Sequence, residues 1–194
     1  MLSYDKLPTR QRSVLAALDV VREEGIERLT TRAIARRSGL TQPAIYRHFA
    51  GKDDLVRTAL GEIRSLFFER LERAGERGPP EARLLGAMEA FRDFAIDEPR
   101  LYDALFFQTG EEAPAPPPVG RGGEGNIFGF LVERVTECGG AGILRKEGPV
   151  GIALSLAAHA QGLVLLYRQG RFGSPERFAD FYRRSVGDLV RGLG

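Results

Sequence analysis

Apolar residues recur every three or four positions along almost the entire chain, with Gly and Pro at the breaks, and no stretch alternates with period two. That periodicity predicts an all-α protein. A first helix is expected over 9–24, with Val14, Leu18 and Val21 on one face and Gly25 as its stop. A second, short helix begins near Thr31 under a threonine cap and ends at Gly39. Thr41 caps a third, whose first turn tolerates Pro43 because an N–H there has no intrahelical acceptor. Ile45 and Phe49, four apart, point inward with Ile34 and Leu40, whereas Gln42, Pro43, Tyr46 and Arg47 share a different face. That outer face is polar and aromatic.

Gly51 ends the third helix, and Asp53 and Asp54 suit the start of a longer one carrying Leu55, Leu60, Ile63, Phe67 and Leu71 at helical spacing. After "GERGPP" a helix is expected over about 81–97, and Pro99 restarts another. The stretch "GEEAPAPPPVGRGGEG" reads as a flexible loop by composition. Helices follow over about 126–137, over the apolar run from Val150 to Tyr167, and from Ser174 and Pro175 onward. The apolar run holds no formally charged residue over 18 positions, the lower limit for a membrane span. Its Ser155, His159 and Gln161 favour a buried packing helix instead. In the last helix Phe178, Phe181, Val186 and Leu189 lie along one stripe. The two final helices together carry more apolar surface than one small domain needs, which predicts a homodimer through them.

Charge refines this division. The net +2 hides a first segment, 1–52, with 10 Lys/Arg against 5 Asp/Glu, and a remainder, 53–194, with 18 against 21. A compact basic segment before a mildly acidic body suggests a polyanion-binding domain at 1–52 and a second domain with another task at 53–194. The sole cysteine, Cys138, excludes an intrachain disulfide framework, and "MLSYDKLPTR" lacks the apolar core of a signal peptide, so the expected location is cytoplasmic.

Two short helices around "RRSGLTQ", preceded by a packing helix, form a helix-turn-helix whose second helix can enter a DNA major groove. Gln42 can read base edges, and Tyr46 and Arg47 can reach bases or phosphates. Thr31, Arg32 and Lys52 can contact the flanking backbone, and the Thr41 cap opens the reading helix. The segment "LTTRAIARRSGLTQPAIYRHFAGKDDL" resembles the DNA-binding head of the tetracycline-repressor (TetR) family of bacterial transcriptional regulators. The likeness covers residues 9 to about 56 closely and the rest only in general layout.

The resemblance implies an all-helical homodimer whose last two helices form a four-helix bundle with the partner, and a body with an effector pocket. It places Arg32, Gln42, Pro43, Tyr46, His48 and Lys52 at positions that face DNA in the family, while Arg47 departs from the aromatic residue of some members. It further implies a repressor released from a palindromic double-stranded operator by a small, largely apolar effector; no cofactor or metal is expected. For the effector pocket the aromatic set Phe91, Phe94, Tyr102, Phe106, Phe107 and Phe128 offers either a cavity wall or ordinary core. His159, Gln161 and Tyr167, with Tyr102, are the candidate orienting groups.

Other chemistries find less support. "GRGGEG", Gly120 to Gly125, satisfies G-x-G-x-x-G but follows prolines rather than a strand, so its glycines loosen a loop. The two histidines, His48 and His159, fall in separate expected domains with no metal or triad pattern around either, and no catalytic residue is expected. The alternatives are a small-molecule-binding protein with a vestigial head and a DNA-binding scaffold without an effector switch.

Overall fold

The structure is a computed structural model that describes residues 7–107 and 126–194; the proline-rich loop and its glycine motif lie outside the described residues. Nine α-helices and one short 3-10 turn, and no strand, occur among the described residues. They are α1 (Thr9–Glu24), α2 (Thr31–Ser38), α3 (Gln42–Tyr46), α4 (Lys52–Ala74), α5 (Pro80–Asp97), α6 (Pro99–Phe106), α7 (Ile127–Gly140), α8 (Pro149–Arg168) and α9 (Pro175–Gly192). The 3-10 turn, Ile26–Arg28, joins α1 to α2 and carries no periodic signal in so short a segment.

The helices group into two compact units, one running from the N-terminus to Leu66 and resuming at Glu98, the other formed by Phe67–Asp97 and the C-terminal part of the chain. In the first, Val14, Leu18 and Val21 of α1 are buried with Leu29, Ile34, Ile45 and Phe49. Helix α6 packs on α1, burying Leu101, Tyr102 and Ala104, and Glu98 at its start accepts from Arg22 Nε at 2.8 Å. Arg22 also meets Asp19 at 3.2 Å, and the Glu98 carboxylate holds its guanidinium above the ordinary range.

In the second unit α5 packs against α7, α8 and α9. Tyr182 of α9 is fully buried and donates to Met88 O at 2.8 Å. Arg92, 5% exposed, lies 5.5 Å from the Tyr182 ring centroid and meets Asp93 at 2.6 Å, so its buried charge is neutralised where α5 meets α9. The end of α4 is also tied down. Arg83 of α5 donates to Gly75 O at 2.9 Å and Arg134 of α7 to the same oxygen at 3.3 Å. Glu137 bridges the two arginines at 3.1 and 2.7 Å. Cations at the negative end of a helix are favourable, and this pair holds the carbonyl of the residue that follows α4.

Two expectations change in this unit. Helix α8 is long and apolar enough to cross a bilayer, yet it is not buried all round. Ile152, Ala153, Leu156, Ala160, Leu163 and Val164 pack inward, while Val150, Leu154, Leu165 and Leu166 stay exposed. The α9 stripe also splits: Phe178 and Val186 turn inward with Tyr182 and Val190, whereas Phe181 is exposed and Leu189 half-buried. Seven apolar residues on a helix of 18 cannot all share one arc, and the period alone does not say which arc faces the core.

Candidate nucleic-acid interface

The local sequence builds α2 and α3 with little help from distant contacts. Thr30 is extended and its Oγ1 accepts from Ala33 N at 3.1 Å, capping α2. Gly39 closes that helix at φ 67°, ψ 20°, a left-handed conformation that costs a side-chain-bearing residue about 1 kcal/mol or more. Thr41 then caps α3, with Oγ1 3.4 Å from Ala44 N, and Pro43 occupies its first turn. Each cap contributes about 1 kcal/mol, which matters for helices of eight and five residues.

Burial then aims the side chains. Ile34 and Ile45 are fully buried and Phe49 is 3% exposed, which turns the opposite side of α3 outward. Tyr46 is 54% exposed, Pro43, Arg47, His48 and Lys52 are exposed, and Gln42 is half-buried at the N-terminus of α3. Thr31 and Arg32 stand in the first turn of α2, half-buried and exposed respectively. Thr41, exposed, has its hydroxyl committed to the cap.

One link was not legible in the sequence: Thr31 Oγ1 and Tyr46 Oη lie 3.3 Å apart, joining residues 15 positions apart. It holds the Tyr46 phenol toward the start of α2. Two further ties set the frame. Arg12 Nε donates to Ser38 O at 2.6 Å, and Arg37 Nη1 donates to Glu23 at 2.7 Å in a two-pronged pair. The Arg37 guanidinium holds the Glu23 carboxyl below its usual range. These pairs fasten α2 to α1.

The charges on the outward face differ from those behind it. Arg32, Arg47 and Lys52 have no carboxylate partner among the described residues, whereas Arg22, Arg36 and Arg37 each do. A surface of such cations with a phenol and an amide, spread over α2, α3 and the start of α4, can bind a phosphodiester backbone and hydrogen-bond base edges.

The candidate effector residues are not gathered in one place. Tyr102, Phe106 and Phe107 belong to the first unit, where the Tyr102 ring lies 4.7 Å from Phe106 and 5.8 Å from Phe107, itself 48% exposed. In the second unit Phe91 and Phe94 surround Phe67 at 5.9 and 4.7 Å, and Phe128 is half-buried in the first turn of α7. His159 Nε2 is 2.9 Å from Ser185 Oγ, and Gln161 is exposed on the outer arc of α8. Tyr167 stacks on Phe178 with centroids 4.5 Å apart. It also lines an open hollow of about 330 Å³ at the α8–α9 turn with Arg168, Gly170, Gly173, Ser174 and Pro175. Among the described residues no group of His, Cys, Asp and Glu could hold a metal ion. Cys138 is buried, and desolvation pushes its thiol up to about 11.

Comparison with known proteins agrees with this layout. Residues 14–59 match the sequence profile of bacterial regulatory proteins of the tetR family, and residues 84–189 match that of the tetracyclin repressor-like C-terminal domain. The chain is 38% identical over 81 residues to tetracycline repressor protein class A from transposon 1721 of Escherichia coli, covering 41% of this chain but only 36% of the repressor. Solved structures share the fold along nearly the whole length. A Rhodococcus sp. RHA1 protein of unknown function aligns over 100% of this chain and 99% of its own, with a TM-score of 0.80 at 21% identity. FadR from Bacillus subtilis, solved in complex with stearoyl-CoA, aligns over 95% and 99% with a TM-score of 0.70 at 17% identity. With one profile matched across its reading head and a second across more than half of its length, the chain belongs to the tetR family of bacterial transcriptional regulators.

Proposed function

We propose that the protein is a homodimeric, sequence-specific repressor that binds a palindromic DNA operator and is released by a small, largely apolar effector. The observation that carries this reading is the exposed surface running from α3 to the start of α4, where Tyr46, Arg47, His48 and Lys52 are exposed while Ile45 and Phe49 are buried. In this reading the reading head is 1–52 and the effector and dimerisation domain is 53–194. Gln42 and Tyr46 read base edges, while Thr31, Arg32, His48 and Lys52 grip phosphates. Arg47 lies beside them, and Pro43 and Thr41 set the pitch of the helix.

Dimerisation uses the outer arc of α8 and the exposed part of α9. Leu154 is 60% exposed, Leu165 46% and Phe181 42%, an apolar surface that a second copy would cover. Two-fold symmetry then puts two α3 helices into successive major grooves, about 34 to 36 Å apart. The effector would occupy the aromatic body, where Phe91, Phe94 and Phe128 supply apolar wall and His159 and Tyr167 supply polar groups. The same fold holding stearoyl-CoA in the Bacillus subtilis protein supports an apolar effector. An effector works by binding the two head spacings unequally, with a coupling of about 1 to 3 kcal/mol. Such a protein acts in the cytoplasm and catalyses no reaction.

The test is selection of bound sequences from a random duplex library at near-physiological salt. The reading predicts one enriched palindrome. A folded protein that enriched no sequence would remove specific readout from the account.

A further inference from the structure

The arginines of the first unit sort by their partners. Arg22 is held by Asp19 and Glu98, Arg36 by Glu24 at 3.6 Å, Arg37 by Glu23, and Arg57 by Asp54 at 3.7 Å. Arg10 belongs to the other class. It is exposed in the first turn of α1 and has no carboxylate partner among the described residues. Its guanidinium lies over the Phe49 ring, 5.9 Å from the centroid.

That contact fixes where the charge sits. Phe49 is buried at the end of the α3 segment, directly after His48 and three residues before Lys52. Arg10 thus stands against the segment between α3 and α4 that also carries His48 and leads to Lys52, although 38 residues separate it from His48. A guanidinium resting on an aromatic ring keeps its N–H groups free for a planar oxyanion and loses less rotamer freedom on binding it. The position does not serve the helix itself: a cation opposes the helix dipole in a first turn, and the first turn of α1 contains no acidic residue.

We infer that Arg10, steadied by Phe49, is a further DNA-contacting residue that takes a backbone phosphate just outside the groove entered by α3. This rests on the DNA-binding reading above. The cationic strip would then run from α2 and α3 onto α1, lengthening the footprint of each subunit by one phosphate without adding sequence information.

The experiment measures binding of the selected operator duplex and of an unrelated duplex by fluorescence anisotropy between about 50 and 200 mM salt. It compares wild type, Arg10→Gln and Arg100→Gln. Arg100 is exposed at the start of α6 and likewise lacks a carboxylate partner among the described residues, so it controls for net charge. Arg10→Gln should weaken both duplexes by a similar factor and flatten the log–log salt slope by about 2 per dimer, one phosphate per subunit, with thermal unfolding unchanged. Arg100→Gln should leave the slope in place. Equal slopes for Arg10→Gln and wild type, or equal changes in the two variants, would overturn the inference. A wild type that binds DNA without preferring the operator, together with a flattened Arg10→Gln slope, would sink the sequence-specific reading and leave the Arg10 contact standing. Absence of any DNA binding by the wild type would remove both.

Discussion

Two surfaces of the chain are left unsatisfied, and in opposite ways. On α3 and the start of α4 the exposed groups include a phenol, an imidazole and cations with no carboxylate partner among the described residues. On α8 and α9 they are Val150, Leu154, Leu165, Leu166 and Phe181. In the second unit many charges are answered instead. Arg83 and Arg134 share Glu137, Arg92 meets Asp93, and Arg183 donates to Glu89 at 2.8 Å. The difference matters because each deficit specifies its remedy. A cluster of cations on exposed short elements calls for a polyanion, and an apolar arc on an otherwise packed helix calls for another apolar arc.

The comparison can be broken most forcefully from the apolar side. Leu154→Glu combined with Leu165→Glu should yield a folded monomer by analytical ultracentrifugation. Losing the second head should cost about 10²- to 10⁴-fold in operator affinity. Retention of the dimer would show that α8 is not its seat. On the other surface, Gln42→Ala or Tyr46→Ala should cost about 1 to 3 kcal/mol for each base contact removed, measured as operator affinity, with nonspecific binding nearly unchanged.

A third substitution sharpens the contrast by touching neither surface. Gly86 lies where an added Cβ would sit 2.6 Å from Ala74 O, so α5 could not keep its approach to the end of α4. Gly86→Ala should lower stability by about 1 to 3 kcal/mol in a denaturant titration while leaving sequence discrimination intact. Lys52→Ala should act the other way. Stability is unchanged, binding to all duplexes weakens, and the salt slope falls by about 1 per subunit.

The smallest effect is on pH. The Glu23 carboxyl is held below its usual range by Arg37, so the pair's stabilisation is fully present above the unfolded carboxylate value of about 4.3. It is lost as pH falls through the lower folded value. Arg37→Gln should therefore flatten the acid limb of a thermal unfolding series slightly, and a wild-type limb unaffected by that change would mean the exposed pair contributes nothing.

What the sequence disclosed depended on range. The bounds of α1, the Thr41 cap, the stop at Gly39 and the inward Ile45 are set by residues within four positions of one another, and all were legible. The outward face of α3 follows from the same local geometry. The tie between Thr31 and Tyr46 needed the helix-turn-helix angle. The double hold on Gly75 O joins residues 8 and 59 positions apart, which periodicity does not encode. The two-sided character of α8 was hidden for another reason. Its outer arc carries Leu154, Ala158 and Leu165 beside Ser155 and Gln161, so only two uncharged polar residues mark the side left open. The aromatic set fared similarly: ring spacing along the chain does not say which rings share a cavity, and Tyr102 with its two neighbours went to a different unit from Phe91 and Phe94.

The measurement that bears most directly on the paired surfaces is an operator spacing series. Base pairs are inserted one at a time at the centre of the selected palindrome and affinity is measured at each length. Two heads fixed by one apolar interface should tolerate little. Insertion of about five base pairs, half a helical turn, should reduce binding to that of a single half-site. Affinity that stayed level across the series would mean the heads bind independently, and the dimeric reading of α8 and α9 would be wrong.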